Sequence, residues 1–186
     1  MLVVSELFKR INFWRQCDRI GPDILTQHWR LYFSSTMRRL CLSLFADFKE
    51  GAEFRPGSYA HSCSKISIGK NVVVRPGSFI SADPRKGGGS IIIEDDVLLG
   101  PCLHVYTNNH SFRNSDCTII NQGYPPAKSC DSVIIKNGAW IGANVTLLPG
   151  VTVGENSVIG AGSTVTKSVL SRVVVAGNPA RIIKNI

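Results

Sequence analysis

The sequence predicts an all-β protein built as a parallel β-helix, with an N-terminal helical extension and a C-terminal segment that caps the coil. Three observations carry this prediction. In WIGANVTLLPGVTVGENSVIGAGSTV, running from Trp140 to Val165, an aliphatic residue returns at every sixth position: Ile141, Leu147, Val153, Ile159 and Val165. A second set, Val145, Val151, Ser157 and Ser163, follows the first four of these by four positions each. Glycine or asparagine fills many of the intervening positions. A period of six fits neither an α-helix, with its turn of about 3.6 residues, nor one long alternating strand, and it is a signature of parallel β-helices.

Composition bounds the rest. A chain of 186 residues and 20.3 kDa with 44% hydrophobic residues suits one domain with an appendage, and it excludes a disordered protein. The net charge is +8, and residues 54–186 hold 13 basic against 7 acidic residues, so the excess lies mainly on the coil. No basic run or RNA-binding motif accompanies it, and nucleic acid is not an expected partner. An anionic small ligand accounts for the charge, with an acidic membrane surface as the alternative.

The six cysteines, Cys17, Cys41, Cys63, Cys102, Cys117 and Cys130, are scattered without CxxC pairs or zinc spacing, so reduced thiols and no metal are expected. Glu6, Lys9 and Arg10 interrupt LVVSELFKRINFW before a signal peptide's apolar region forms. The expected setting is the cytoplasm, with peripheral association at the inner membrane face as an alternative.

Residues 1–53 form the expected helical extension. Gly21-Pro22-Asp23 separates two apolar stretches, and Trp29, Phe33, Met37, Leu40, Leu44 and Phe48 then recur at steps of three and four along one helix stripe. The stripe packs on the coil or on another subunit, while Arg30, Arg38 and Arg39 suit a membrane surface. From Phe54 to Ile186 the hexapeptide domain is expected. FRPGSY (Phe54 to Tyr59) and VRPGSF (Val74 to Phe79) are near copies. Their separation is one coil of three hexapeptides plus an insertion of two positions. The Pro-Gly pairs belong at corners, where proline fixes φ and glycine relaxes it. Gly87 to Gly89 lack the strand and helix context of a phosphate loop and are expected to be a flexible surface turn.

Rungs begin at Ile93, Leu99 and Val105, and the interval from Val105 to Ile135 is a multiple of six. The intervening residues read poorly as rungs. They are expected to form an excursion, about Asn109 to Ser132, that leaves the coil and rejoins it in phase, and its length marks it as a functional loop. After Val165 the pattern decays into a segment that covers the last open coil.

If positions one and five of each rung point inward, position six points outward. His104, His110 and Trp140 hold sixth positions. Trp140 facing outward suits a surface covered by another subunit or a ligand. His110 follows Asn108 and Asn109 at the mouth of the excursion and is the candidate general base, since imidazole accepts a proton near neutral pH.

HVYTNNHSF, then VIIKNGAWIGANVTLLPGVTVGENSVIGAGSTVTKSV, then VAGNPARIIK resemble the hexapeptide-repeat acetyltransferases, especially their maltose, galactoside and polysaccharide O-acetyltransferase branch. The resemblance covers Phe54 to Ile186. It implies a left-handed coil, although parallel crossovers generally favour the right hand. It also implies a homotrimer with active sites between neighbouring coils and acetyl-CoA as acyl donor. His110 matches the catalytic histidine, and Trp140 the tryptophan of the same cleft. Ala143 and Ala161 match small residues along the pantetheine arm. Thr166, Lys167 and Arg181 match positions near the nucleotide, whose phosphates lysine and arginine can pair. The acceptor-binding asparagine before the loop has no clear counterpart, with Ser81 and Asp83 as stand-ins beside Asn108 and Asn109. The residue orienting His110 is open among Asp116, Asp131 and a backbone carbonyl.

The N-terminal region lacks the short maltose-type domain. The implied function is therefore acetylation of a sugar hydroxyl in surface or capsular polysaccharide or O-antigen synthesis. Serine, an amino sugar or a hydroxylated antibiotic is the alternative acceptor. A non-catalytic docking coil is the reading from a different class. A metal-dependent hydratase on the same coil is disfavoured because His61, His104 and His110 do not fall on one face.

Overall fold

The computed structural model describes residues 8–9, 12, 15–16, 18–20, 34–128 and 131–186. Gly21-Pro22-Asp23, Trp29, Arg30, Phe33, Cys17 and Cys130 lie outside the described residues. The chain is a left-handed parallel β-helix with three faces. One face stacks Tyr59–His61, Phe79–Ser81, His104–Tyr106, Thr146–Leu147 and Thr164–Val165 in parallel, with Arg19–Ile20 antiparallel at its first edge. A second stacks Asp47–Phe48, Ile66–Ile68, Ile91–Ile93, Val133–Ile135 and Thr152–Val153. The third runs from Leu98–Leu99 through Trp140–Ile141 and Val158–Ile159 to Val173–Gly177. Glu53–Phe54 and Val73–Val74 pair separately.

Strand register measures each coil. Thr146 pairs with Thr164, so the regular coil is three hexapeptides long. Tyr59 pairs with Phe79, which adds the two positions that the Pro-Gly copies predict. Phe79 pairs with His104 across a longer coil still, because the turn through Gly87 to Gly89 carries extra chain. His104 pairs with Thr146, an interval of seven hexapeptides. Three of these complete the coil, and the other four leave it and return in phase.

The inward positions follow the hexapeptide phase. Ile141, Leu147, Val153, Ile159 and Val165 are buried, as are the fifth-position residues Val145, Val151, Ser157 and Ser163. Serine is tolerated there because its hydroxyl bonds locally: Ser157 Oγ donates to Gly154 O and Ser163 Oγ to Gly160 O, both at 2.6 Å. At the Pro-Gly corners, Gly57, Gly77 and Gly150 have φ of 85°, 79° and 80°, which a side chain would strain.

Both ends of the coil are covered. Helix α1 (Ser34–Leu44) lays Met37 and Cys41 on the first rungs, with Leu40 and Leu44 packed at the margin. The predicted stripe extends this helix to Phe48, but the helix stops at Leu44 and Phe48 belongs to a strand paired with Ser67–Ile68. Phe45 sits 5.6 Å, between ring centroids, from both Phe48 and Phe54, so Phe48 is buried by ring packing at the first rungs and its place in the helical stripe is only a coincidence of spacing. Parallel pairing accordingly starts at Asp47, ahead of the Phe54 boundary expected from the repeat. Arg38 lies 5.9 Å from the Phe48 ring centroid. At the other end Ala180–Asn185 turns back antiparallel along Val173–Gly177 and closes the third face. No helix among the described residues is long and apolar enough to cross a membrane.

Candidate functional site

The excursion starts from the strand His104–Tyr106 and carries the short helix α2 (Ile119–Gln122). Its two limbs are tied by local hydrogen bonds. Ser111 N donates to Gly123 O at 2.9 Å, and Gln122 Nε2 donates to Asn114 O at 2.8 Å while its Oε1 accepts from Asn114 N at 3.1 Å. Between the limbs lies a cavity of about 630 Å³, whose walls include Asn109, His110, Arg113, Asn121, Lys128 and Asp131. His110 is exposed at its root, and Asn108 is half-buried beside it.

The contact that meets the His110 ring is Tyr124, stacked at 4.1 Å between centroids with 30° between planes. The sequence offers Asp116, Asp131 or a carbonyl as the orienting group, and nothing in its pattern points to an aromatic. Tyr124 in turn lies beneath the Arg85 guanidinium, whose carbon is 5.3 Å from the ring centroid. Arg85 grips Asp83 with two bonds, Nε to Oδ1 at 2.9 Å and Nη2 to Oδ2 at 2.7 Å. The guanidinium bonds to Asp83, together with the nearby Lys65 charge, hold that carboxyl below the usual aspartate range even though burial opposes them. Asp83 is 1% exposed, so its carboxylate serves Arg85 and does not face an acceptor. Ser81, the other stand-in, is half-buried on the face beside Tyr106, its register partner. The glycine run also differs from the flexible surface turn expected of it. Gly88 and Gly89 are buried, and a Cβ on Gly88 would come within 2.5 Å of the Asp83 carboxyl carbon. It is a packed turn, compact because it closes over a carboxylate.

The candidate donor residues gather elsewhere. Trp140 is 54% exposed and pairs in register with Leu98, itself 58% exposed, so the third face carries an outward apolar pair. At the adjoining corner the rungs stack closely. A Cβ on Gly100 would lie 2.5 Å from Ala143 N, and one on Gly142 would lie 2.5 Å from Ala161 N. This close stacking leaves Ala143 and Ala161 along a narrow edge of small side chains. The edge leads to Ala176, which pairs with Arg181. Lys167 and Arg181 line one small hollow of about 270 Å³ with Ser168 and Ala180. Thr166 is exposed next to Lys167.

The His110 cavity, which Asn109 also lines, and the Lys167 and Arg181 hollow share no lining residue within one chain. Among the described residues no group of three or more His, Cys, Asp or Glu side chains could hold a metal ion.

A sequence profile described as "Bacterial transferase hexapeptide (six repeats)" matches residues 132–167. The chain is 34% identical over 151 residues to the galactoside O-acetyltransferase of Escherichia coli K12, covering 79% of this chain and 67% of that relative. It spans between 44% and 61% of the length of further curated relatives. A hexapeptide-repeat acetyltransferase from Vibrio cholerae superposes with a TM-score of 0.70 at 26% identity, over 82% of this chain and 81% of that one. Its complex with acetyl coenzyme A gives a TM-score of 0.67 at the same identity, over 82% and 78%. A maltose O-acetyltransferase from Clostridium difficile gives 0.66 at 26% identity, over 100% and 88%.

Proposed function

The chain belongs to the hexapeptide-repeat acetyltransferases, and from that premise we propose that it transfers the acetyl group of acetyl-CoA to a sugar hydroxyl with His110 as general base. The observation that carries this reading is His110 itself, presented at the root of a loop cavity and stacked on Tyr124 at 4.1 Å. In the reaction, an imidazole nitrogen of His110 takes the proton of the acceptor hydroxyl as its oxygen attacks the thioester carbonyl. The tetrahedral adduct collapses, the C–S bond breaks, and the proton passes from imidazolium to the departing thiolate. The products are the O-acetyl sugar and CoA.

We assign the donor to the edge formed by Ala143 and Ala161, whose small side chains let an extended arm lie against the backbone. Thr166, Lys167 and Arg181 stand at its nucleotide end, where the two cations pair with phosphates. Trp140 and Leu98 form the apolar wall. Asn108, Asn109 and Ser81 are the polar groups assigned to the acceptor. The proposed enzyme is the trimer that the family resemblance implies, and the separation of the two halves on one chain supports an arrangement in which one subunit's loop faces a neighbour's donor edge. As acceptor we propose a sugar of a surface or capsular polysaccharide or O-antigen. The sugar class is supported by the galactoside and maltose names of the relatives.

The test is CoA release from acetyl-CoA with methyl galactoside, maltose and capsular oligosaccharides as acceptors. His110→Ala is expected to bind acetyl-CoA normally and to lose about 100- to 10,000-fold in kcat, the usual share of a general base. Undiminished turnover in that variant would remove His110 from its role. If no acceptor is acetylated and calorimetry detects no acetyl-CoA binding, the docking coil replaces the enzyme.

A further inference from the structure

We propose that Arg85, clamped by Asp83, is a positioning residue that sets the His110 ring through Tyr124. This role rests on the reading of His110 as the base. His110 sits on an exposed loop, where an imidazole is free to swing, whereas proton abstraction needs its nitrogen aimed at the acceptor.

The coil supplies a fixed reference for that aim. Burying the Asp83 carboxylate is costly unless it is paired, and the two-bond fork from Arg85 pairs it in one geometry. The turn beneath is itself tied down, since Lys65 Nζ donates to Asp83 O at 2.7 Å and to Arg85 O at 2.5 Å. Gly88 lets this turn close, because any side chain there would collide with the carboxylate.

From this anchor both limbs of the excursion are held. On the outgoing limb, shortly before His110, Thr107 Oγ1 accepts from Asp83 N at 2.7 Å. On the returning limb, Arg85 Nη1 donates to Pro125 O at 2.5 Å, and the guanidinium lies on the Tyr124 ring. The Tyr124 ring then stacks on His110. The turn that carries the ion pair therefore holds the Thr107 hydroxyl on one side of His110 through the Asp83 main chain, and its Arg85 guanidinium holds the ring surface on the other. A lysine at position 85 cannot repeat this, because it lacks the planar fork that grips a carboxylate and lies on an aromatic face together.

The experiment combines NMR of the His110 ring with steady-state kinetics on the full-length protein, using acetyl-CoA and methyl galactoside. Stacking on Tyr124 shifts the His110 ring protons upfield. The shift is expected to vanish in Arg85→Ala, Arg85→Lys and Tyr124→Ala and to return in Tyr124→Phe, which keeps the ring. In the first three variants kcat is expected to fall at least ~10-fold, since a misplacement of about 1 Å can cost on the order of 100-fold. KM for acetyl-CoA should stay close to that of the parent protein in all of them, and the melting temperature should hold in the Tyr124 variants, whereas Arg85→Ala leaves the buried Asp83 carboxylate unpaired and is expected to lower it. Tyr124→Phe should recover most of kcat. An unchanged His110 shift in Arg85→Ala and Tyr124→Ala would overturn the proposal, whatever the kinetics. That outcome is separable from failure of the base reading, which shows instead as activity retained by His110→Ala.

Discussion

Cys41 and Cys117 carry the same thiol in opposite surroundings. Cys41 is buried on the coil-facing side of α1, and burial pushes its pKa up to about 12 against the pull of Arg38. Cys117 is exposed on the excursion and lines the His110 cavity. A maleimide added near neutral pH is therefore expected to label Cys117 quickly and to reach Cys41 only on unfolding, as followed by peptide mass spectrometry. Labelling of both at one rate would mean that α1 does not seal the first rung. Asp83 shows the same dependence on surroundings. An aspartate before the loop suggests an acceptor ligand when only its position is known. Its fork to Arg85 and its burial change the partner, because a buried carboxylate goes to the nearest matched cation.

At the scale of elements, the excursion is an insertion that the coil does not need. Removing residues 109–132 would join Asn108 to Val133, bringing Val133 to an inward fifth position and Ile135 to the next inward first position. Both are already buried in those phases. The shortened chain is expected to keep its coil, with a melting temperature within about 4 °C of the parent, the shift that ~1 kcal/mol produces at this size. Acetyl transfer should be lost with His110. Circular dichroism and CoA release check the two halves, and collapse of the β signal would show that the loop holds the rungs together. The excursion is legible in the sequence because its ends must rejoin in phase. Its interior is not, since the α2 helix and the Gln122 bonds follow no period.

At the scale of the molecule, the His110 cavity and the Lys167 and Arg181 hollow lie apart on one chain. In the proposed trimer, cyclic symmetry would bring one subunit's loop to a neighbour's donor edge and would cover the outward Trp140 and Leu98. Sedimentation equilibrium is expected to give three times the mass of the 20.3 kDa chain. A fully active species with the mass of one chain would refute assembly of the site between subunits.

By itself the sequence determined the coil, its inward positions and the length of the excursion. All of these follow from a local rule, since every residue's direction in a β-helix is set by its count from the last corner. Only the tertiary structure decided that Gly88 and Gly89 close a packed turn, that Phe48 belongs to a strand, and that Asp83, Arg85, Tyr124 and His110 form one chain of contacts. Arg85 and Tyr124 are far apart in the chain, and their separation is not a multiple of six. Their meeting depends on where the excursion folds back against the coil, and that is fixed by contacts across space.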